Sequence, residues 1–390
     1  MRTSFRRRPE SSIFYKSLVI VNMASSNRIR DLLTKGVMDG VYPGAVLLVA
    51  RRGKIIFFEE TGRVSLAPGA AYISKDTIFD LASLTKPLAT TLALMKCVDD
   101  GLIELDQPLE KLVPMALPTD KALITPRLIL AHSGGFRDWE PFYLRLVEAV
   151  PEKRKELLRQ WIIKMPLDYR PGEKALYSDL GFMILEWVIE QATAMVLPTF
   201  LSRCFYSPLG LKRTFFSDAL PPLHLGVDQF AATEECPWRK RIVRGYVHDE
   251  NAFALGGYSG HAGLLGTAHD VYTLIDMLRA HFLGTRDDYL RSDTVKAFFT
   301  RQKIAPDSSW ALGWDTPTHG ASSSGKYFSE DSVGHLGFTG TSVWMDLKKD
   351  VIVVFLTNRI HPSRDNIKIR AFRPVLHDTV MEEVIGDGGD

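Results

Sequence analysis

The stretch FDLASLTKPLATTLALM, residues 79–95, joins a strand-like apolar run to a run with helical periodicity and sets Ser83 three residues before Lys86. Leucines from Leu88 onward recur at the spacing of one helix face. Pro87 lacks an N–H and clashes with the carbonyl four residues back, so the regular helical ladder should begin only after Ser83. We therefore predict Ser83 at the positive end of a helix, with Lys86 on the same face.

A serine in this position can act as a nucleophile if a neighbouring base removes its proton. Lys86 could be that base if burial and a nearby cation lowered its pKa from about 10.4 to near 7, which costs about 4 kcal/mol. The alternative, that Ser83 caps a helix and Lys86 is solvated, is the commoner interpretation of an isolated Ser-x-x-Lys pair. A second pair, Ser323 and Lys326, lies in the loop GASSSGK (320–326), where neither side chain would be held.

Strand patterns lie near the two ends of the chain, with helical patterns between them. GAVLLVARRGKIIFFEETG (44–62) and TSVWMDLKKDVIVVFLTN (341–358) each predict a β-hairpin. An amphipathic helix is predicted over residues 26–39, and Pro374 should open a last helix. We therefore predict an α+β fold: a mainly antiparallel sheet built from both termini, flanked by helices, with an inserted helical domain.

The same division predicts the domain organisation. Residues 1–25 are expected to form a disordered N-terminal extension, and residues 26–385 a single catalytic unit. Within that unit, residues 26–80 and 300–385 should form the sheet region and residues 81–299 the mainly helical region.

The composition argues against several classes of function. The 390 residues carry 48 basic and 46 acidic side chains, a balance that offers no basic face for nucleic acid. Cys97, Cys204 and Cys236 form no CxxC pair, which argues against a disulfide framework or a zinc site. No apolar run approaches the roughly 20 residues of a membrane span. The N-terminal stretch LVIV is shorter than the apolar segment of about 7–15 residues in a signal peptide, so we predict a cytoplasmic protein.

Two further motifs could complete a site with Ser83. Tyr177 precedes a helical run in ALYSDLGF (175–182), and near a cationic lysine its phenolate could relay protons. His335 and Gly337 stand in VGHLGFTG (333–340), where glycine permits close approach of a ligand and the histidine would add a donor facing the cleft. Taken singly, such motifs are more often a packed tyrosine and an edge-strand histidine.

Together and in this order, the three motifs resemble those of the serine β-lactamase and penicillin-binding-protein superfamily. The resemblance covers about residues 26–385. Within the superfamily, the chain is similar to the class C β-lactamase-like branch, which includes family VIII esterases and D-amino-acid peptidases. The segments that carry it are LILAHSGGFRDW (128–139), VHDENAFALGGYSGHAGLLGTAHD (247–270), WALGWD (310–315) and GHLGFTGTSVWMDL (334–347).

The resemblance implies a role for each matching position. Ser83 would be the acylated nucleophile and Lys86 its proton acceptor, with Tyr177 sharing the base role or protonating the leaving group. The backbone N–H groups of Ser83 and Phe338 would form the oxyanion hole. His335 stands where the family often has lysine.

Two positions depart from the family's pattern. Asp179 stands where β-lactamases usually carry asparagine, and an ionised carboxylate cannot donate to a substrate carbonyl. His335 is mostly neutral near pH 7, which removes a cation that would pair with a β-lactam or peptide carboxylate. With Gly337 and Phe338, these residues are predicted to line the substrate-binding edge. Both departures favour small esters, which present no carboxylate.

The sequence thus predicts a cofactor-free serine hydrolase acting through an acyl-enzyme at Ser83 on small carboxylic esters, with no metal, no nucleic-acid partner and an unspecified oligomeric state. Two alternatives stay open. One is β-lactamase, D,D-peptidase or D-aminopeptidase-like activity, and the other is a non-catalytic binding protein of the same fold.

Other candidate features are weaker. GYSGH (257–261) misses the nucleophile-elbow pattern by one residue, so a glycine-rich loop beside the site is expected. The segment HDE (248–250) lacks the spacing of a helical zinc pair and could instead orient the cleft loops. Trp139, Trp310 and Trp314 could line an acyl pocket, although tryptophan is usually partly buried packing.

Overall fold

The computed structural model describes residues 23–217, 225–318, 320 and 322–386. The strands in this part of the chain are β1 (Gly44–Arg51), β2 (Lys54–Gly62), β3 (Phe79–Asp80), β4 (Phe215–Phe216), β5 (Glu235–Cys236), β6 (Arg241–Ile242), β7 (Leu264–Gly266), β8 (Val333–Leu336), β9 (Ser342–Asp346) and β10 (Val351–Thr357). The α-helices are α1 (Met23–Met38), α2 (Leu92–Asp99), α3 (Thr119–Ala122), α4 (Pro126–Leu130), α5 (Tyr143–Leu146), α6 (Pro151–Lys164), α7 (Asp179–Thr193), α8 (Leu197–Leu201), α9 (Glu250–Ala254), α10 (Ala268–Phe282), α11 (Ser292–Phe299) and α12 (Ile369–Gly386). Turns of 3₁₀-helix span Ala82–Leu84, Leu109–Lys111 and Val227–Gln229, and π-helix spans Lys86–Thr91 and Ser202–Tyr206.

The main sheet has five antiparallel strands in the order β2-β1-β10-β9-β8. Strand β1 pairs with β10 from Ala45 opposite Thr357 to Arg51 opposite Val351, so the two ends of the chain share one hydrogen-bonded ladder. Both predicted hairpins are present, as β1–β2 and β9–β10. The predicted mixed fold, with an antiparallel sheet drawn from both termini, is confirmed.

The main sheet is covered on both faces. In β1, Val46 and Leu48 point into the larger core, which contains residues of α2, α7 and α10. The alternate residues Leu47 and Val49 point into a second core beneath α1 and α12. Period-2 alternation of a strand with two apolar faces places it at the centre of a three-layer structure.

Three details differ from the predictions. Helix α1 begins at Met23 instead of residue 26, and the rest of the predicted extension lies outside the described residues. Helix α12 begins at Ile369, so Pro374 lies inside it and does not open it. Ile369 is only 3% exposed, and burial of this apolar side chain favours a helix that begins before the proline. Two strands of the predicted helical region, β4 and β7, form a small sheet with β3 in the order β3-β7-β4, and all three strands are too short to carry a readable period.

The segment after β8 is bound to the chain immediately before Ser83. Thr339 Oγ1 donates to the Asp80 carbonyl at 2.7 Å, and Thr341 Oγ1 donates to the Leu81 carbonyl at 3.2 Å. A Cβ on Gly337 would lie 2.6 Å from the Leu81 carbonyl oxygen, so glycine is needed for this approach. The edge of the main sheet and the Ser83 turn are thereby held against each other.

Within the described residues, no single helix has the length and apolar character to cross a membrane; the pair Asp179–Thr193 and Leu197–Tyr206, bent by 65°, passes on length and composition only when taken together.

Candidate active site

Ser83 lies in a turn of 3₁₀-helix that precedes a π-helix, and the regular α-helix begins only at Leu92. Ala82 has φ 47°, a left-handed conformation that residues other than glycine seldom adopt. The Asp80 carboxylate accepts from the Ala82 N–H at 2.8 Å and holds this turn. Ser83 itself is partly exposed. Backbone strain and π-helix next to a reachable hydroxyl are features that concentrate at functional sites.

Lys86 is fully buried and binds three acceptors. Its Nζ lies 2.6 Å from Asp179 Oδ1, 3.0 Å from Ser83 Oγ and 3.2 Å from the His261 carbonyl oxygen. Its side chain is 0% exposed. Three acceptors use all three N–H groups of an ammonium. The sequence-based alternative of a solvated lysine is therefore wrong.

The charge of Lys86 also differs from the neutral amine that the sequence analysis required. Burial lowers the pKa of Lys86, but the Asp179 carboxylate, together with Tyr177, outweighs burial and raises the pKa above its ordinary value. The lysine of this site is an ammonium. The prediction that nearby charge makes Lys86 neutral near pH 7 is wrong, because the closest charge is an anion and not a second cation.

The ring of Tyr177 covers Lys86, with Nζ 4.8 Å from the ring centroid. Burial raises the pKa of Tyr177, while the charge of Lys86 acts in the opposite direction. The tyrosine is thus a protonated phenol beside the ammonium. Its ring also lies 5.7 Å from that of Trp310 and 6.0 Å from that of His335.

His335 lies beside Tyr177 and is buried. Burial and the charge of Lys86 lower the pKa of His335 to about 3, so the ring is neutral. Its Nδ1 lies 2.8 Å from the Leu336 carbonyl oxygen, which can only accept, so Nδ1 carries the proton. Nε2 is then an acceptor, and the predicted donor facing the cleft is wrong.

His132 is a site residue that the motifs did not single out, although it lies inside the segment 128–139 that carries the family resemblance. Its Nδ1 accepts from the Ser178 N–H at 3.1 Å, so its Nε2 carries the proton. Its ring centroid lies 4.6 Å from that of Tyr177 and 4.3 Å from that of Trp310. Among the described atoms, neither Nε2 of His132 nor that of His335 has a hydrogen-bond partner. One donor and one acceptor are thus available beside Tyr177.

Two of the three tryptophans proposed for an acyl pocket lie in different environments. Trp310 packs against the rings of Tyr177 and His335, as a pocket residue would. Trp314 is 0% exposed and packs edge-on against Phe299, so it belongs to the core. The prediction is therefore wrong for Trp314.

Phe338 follows Gly337 at the end of β8, close to the Ser83 turn. Its ring is 45% exposed and stacks on His248 with a centroid distance of 5.7 Å. Arg359 Nε donates to the Phe338 carbonyl at 2.9 Å, and the guanidinium lies 4.8 Å from the ring centroid. These contacts fix the backbone of the residue whose N–H was predicted to bind the oxyanion.

The glycine-rich loop at residues 256–263 borders the site, as expected. Thr90 Oγ1 donates to the Gly260 carbonyl at 2.6 Å, and the next residue supplies the carbonyl that binds Lys86. Asp249 accepts from His261 Nε2 at 3.0 Å and from the Ala252 N–H at 2.7 Å. Asp249 therefore holds the loop and caps α9, which is the orienting role predicted for the 248–250 segment.

Two groups of side chains in the described part of the chain could hold a metal by spacing alone: Asp179, Asp249 and His261, and Glu234, Cys236 and Glu250. In the first group the Lys86 ammonium binds Asp179. In the second, Arg364 binds both glutamates. A cation of the protein already balances the carboxylates in each group.

A sheet between terminal helices and a helical region, with a reachable serine bonded to a buried lysine, defines a serine hydrolase of the β-lactamase and transpeptidase type. Comparisons with known proteins identify the family. A family model described as Beta-lactamase matches residues 29–375, and the chain belongs to that family. Its fold and relatives indicate hydrolysis of ester or amide bonds by a serine.

Relatives and solved structures agree with this assignment. The chain is 34% identical over 367 residues to a putative D-alanyl-D-alanine carboxypeptidase of Salmonella agona (strain SL483), covering 85% of this chain and 82% of that protein. EstCE1, a hydrolase with promiscuous acyltransferase activity, has the same fold, with a TM-score of 0.73 and 22% identity over 92% of this chain and 99% of that one. Simvastatin synthase (LovD) of Aspergillus terreus matches with a TM-score of 0.68 and 16% identity over 92% of this chain and 98% of that one.

Proposed function

We propose that this protein is an esterase that forms an acyl-enzyme at Ser83 on small carboxylic esters. Ser83 Oγ attacks the ester carbonyl, the alcohol leaves, and water then hydrolyses the acyl-enzyme. The backbone N–H groups of Ser83 and Phe338 bind the oxyanion. The observation that carries this proposal is the 3.0 Å contact between the buried Lys86 ammonium and the hydroxyl of a partly exposed serine.

Tyr177 is the general acid in this proposal. Its raised pKa keeps the phenol protonated, so it can give a proton to the departing alkoxide. The Lys86 ammonium, 4.8 Å from the ring centroid, then stabilises the phenolate that forms.

The charges around the substrate edge support an uncharged substrate. His335 is neutral, with a pKa of about 3, and so offers no cation at the position where the family often has lysine. Of the described cations near Phe338, Arg359 donates to three backbone carbonyls and Arg364 binds two glutamates. A substrate carboxylate would meet no free positive charge among these groups, whereas a simple ester needs none.

A second candidate activity, hydrolysis of D-alanyl peptides, is favoured by the relative at 34% identity that is named a putative D-alanyl-D-alanine carboxypeptidase. A third outcome is a binding protein that retains the fold without turnover.

One set of assays separates these candidates. We expect turnover of p-nitrophenyl esters of short acids. Turnover of a chromogenic cephalosporin and of D-alanyl-D-alanine peptides should be no faster than ester turnover. Ser83→Ala should lose ester turnover. A fluorophosphonate probe should label Ser83, as located by peptide mapping. Preferential release of D-alanine would replace the esterase proposal with the second candidate. Absence of both turnover and labelling in the wild type would leave only the binding protein.

A further inference from the structure

We propose that Asp179 takes a proton from Lys86, so that the resulting amine can take the proton of Ser83. The inference rests on the proposed acyl-enzyme at Ser83 and concerns how its nucleophile is activated. It gives Asp179 a role that differs from the substrate-binding role implied by the family resemblance.

The hydrogen bonds of Lys86 show that it acts as a donor in this structure. Its three N–H groups point at Asp179, Ser83 and the His261 carbonyl at 2.6, 3.0 and 3.2 Å. An ammonium has no lone pair, so in this arrangement Lys86 donates to Ser83 and cannot accept the hydroxyl proton. Lys86 must lose a proton before it can act as a base.

The contacts of Lys86 differ in their ability to receive that proton. A peptide carbonyl and a serine hydroxyl are far too weakly basic, whereas a carboxylate is an ordinary proton acceptor. Lys86 is 0% exposed, so its ammonium has no direct exit to water, and its shortest contact is the Asp179 carboxylate. The phenol of Tyr177 also hydrogen-bonds to Lys86, but it is already protonated, so Asp179 is the described neighbour of Nζ that can hold the proton.

Access of solvent to Asp179 affects where the proton of the pair lies. The side chain of Asp179 is 16% exposed, and this exposure favours the ion pair while the cleft is open. An ester that covers the site removes that water, and a buried ion pair then loses hydration that a neutral amine and carboxylic acid do not need. Substrate binding itself therefore favours the transfer from Lys86 to Asp179.

The protons balance over one acylation. A proton moves from Lys86 Nζ to Asp179, leaving an amine and a carboxylic acid. As the bond between Ser83 Oγ and the carbonyl carbon forms, the hydroxyl proton moves to the amine and the carbonyl electron pair moves to the oxyanion. On collapse, the C–O bond of the ester breaks and Tyr177 protonates the alkoxide. Lys86 then restores the phenol, and Asp179 returns its proton to Lys86.

Other titratable groups face this pair, and they bear on any pH profile. Tyr177 lies over Lys86, and burial lowers the pKa of both His132 and His335. On the glycine-rich loop, His261 is paired with Asp249, and the pKa of His261 is raised.

Asp179→Asn tests the proposal because the amide keeps the shape and can accept from Lys86 but cannot take its proton. We expect kcat/KM for a p-nitrophenyl ester at pH 7 to fall about 10²–10³-fold, the range of general acid–base contributions. The residual activity should rise with pH, because Lys86 must now lose its proton to solvent. Asp179→Glu, which keeps a carboxylate, should recover part of the loss.

A different result is expected if Asp179 takes no part in proton transfer. If Asp179 only holds Lys86 in its charged form, removing the anion lowers the pKa of Lys86, and Asp179→Asn should be as active as the wild type or more active near pH 7. That result would overturn the proposal, as would an unchanged kcat/KM with an unchanged pH profile.

The pH profile of the wild type tests the proposal without any variant, so the result does not depend on whether a variant folds. Transfer within the pair predicts a kcat/KM that changes little between pH 6 and 9, whereas release to solvent predicts about a tenfold rise per pH unit. The tenfold rise would overturn the proposal. Ser83→Ala shows how much of the turnover and labelling depends on Ser83. If the proposed function is wrong, the wild type will show no Ser83-dependent turnover or labelling. If only the role of Asp179 is wrong, both will remain.

Discussion

Two clusters in this molecule contain the same four kinds of side chain. The Ser83 cluster consists of Ser83, Lys86, Tyr177 and Asp179, and the Ser259 cluster consists of Ser259, Lys155, Tyr258 and Glu186. In each, the lysine pairs with the carboxylate and lies over the tyrosine ring, 4.8 Å and 4.0 Å from its centroid, respectively. The pKa of the lysine is raised in both.

The clusters differ in whether the lysine or the carboxylate is the more buried group. They also differ in which of these two groups forms the hydrogen bond with the serine hydroxyl. Lys86 is 0% exposed against 16% for Asp179, whereas Lys155 is 24% exposed against 4% for Glu186. The Ser83 hydroxyl accepts from its lysine at 3.0 Å. The Ser259 hydroxyl instead donates to Glu186 at 2.9 Å and is 0% exposed.

Side-chain composition alone therefore does not make a site. In the Ser259 cluster the hydroxyl proton is already committed to a carboxylate, and no substrate can reach the oxygen. That cluster instead supports its neighbour: Glu186 also accepts from the Gly260 N–H at 2.8 Å, and the His261 carbonyl that follows binds Lys86. The contrast can be tested by making the same substitution in each cluster.

The lysine pair should give the largest difference. Lys86→Met should lower kcat/KM about 10⁴-fold or more, as loss of one member of a catalytic set does. Its carboxylate partner Asp179 reaches solvent, so the protein should stay folded. Lys155→Met leaves Glu186 buried without its cation and should cost about 3 kcal/mol of unfolding free energy while Ser83 still reacts.

Ester kinetics and urea unfolding of both variants measure these effects. The contrast between the clusters would be lost if Lys155→Met, still folded, were as inactive as Lys86→Met. Full activity in Lys86→Met would instead mean that another residue is the base.

The tyrosine pair should give a smaller difference. Tyr177→Phe removes the proposed acid and should reduce kcat about 10²-fold, with the larger loss on esters whose alkoxides are poor leaving groups. Tyr258→Phe should change kcat by no more than about twofold, as for a residue outside the reacting set. Steady-state rates on a p-nitrophenyl and an ethyl ester check this. Equal losses on both esters would argue against leaving-group protonation by Tyr177.

The sequence predicted the fold well because strong periodic signals carry it. The two hairpins are long, apolar and closed by short polar turns, and their pairing follows once both ends of the chain must share a sheet. The helix boundary at Pro374 was wrong because burial of Ile369 overrides a local proline signal. The strands of the small sheet have two or three residues and leave no pattern to find.

The candidate site was predicted in part. Ser83, Lys86, Tyr177 and His335 came from motif spacing, and the structure brings their side chains together. The ionisation state of Lys86 could not be predicted, because it depends on a 2.6 Å contact between residues 93 positions apart. The donor and acceptor roles of the histidine nitrogens likewise depend on backbone contacts that spacing does not reveal.

A stability effect of moderate size is expected where the glycine-rich loop is held. Burial lowers the pKa of His261, but Asp249 outweighs it and the net pKa is raised. The stabilisation from this histidine is therefore complete below its unfolded pKa of about 6.5 and is lost as pH rises through the folded value. The pKa of Asp249 is lowered, so its stabilisation is lost only under acid conditions, below an unfolded value of about 3.9.

His261→Gln should therefore cost about 2 kcal/mol near pH 6, the worth of a charged hydrogen bond, and less as pH rises towards 9. Thermal melts of both proteins across this pH range provide the measurement. A gap that widens with increasing pH would show that His261 is not stabilised as a cation by Asp249.

The serine of the Ser259 cluster should give the smallest effect. Ser259→Ala removes one hydrogen bond from Glu186, which keeps Lys155 and the Gly260 N–H as donors, so the unfolding free energy should fall by about 1 kcal/mol. Ester turnover and fluorophosphonate labelling of Ser83 should stay at the wild-type level, in contrast to their loss in Ser83→Ala. If Ser259→Ala slowed labelling of Ser83 while the fold stayed intact, the buried hydroxyl would be coupled to the reacting groups. The two clusters would then have to be treated as one proton network, and the difference in access between their serines would no longer explain why Ser83 alone is proposed as the nucleophile.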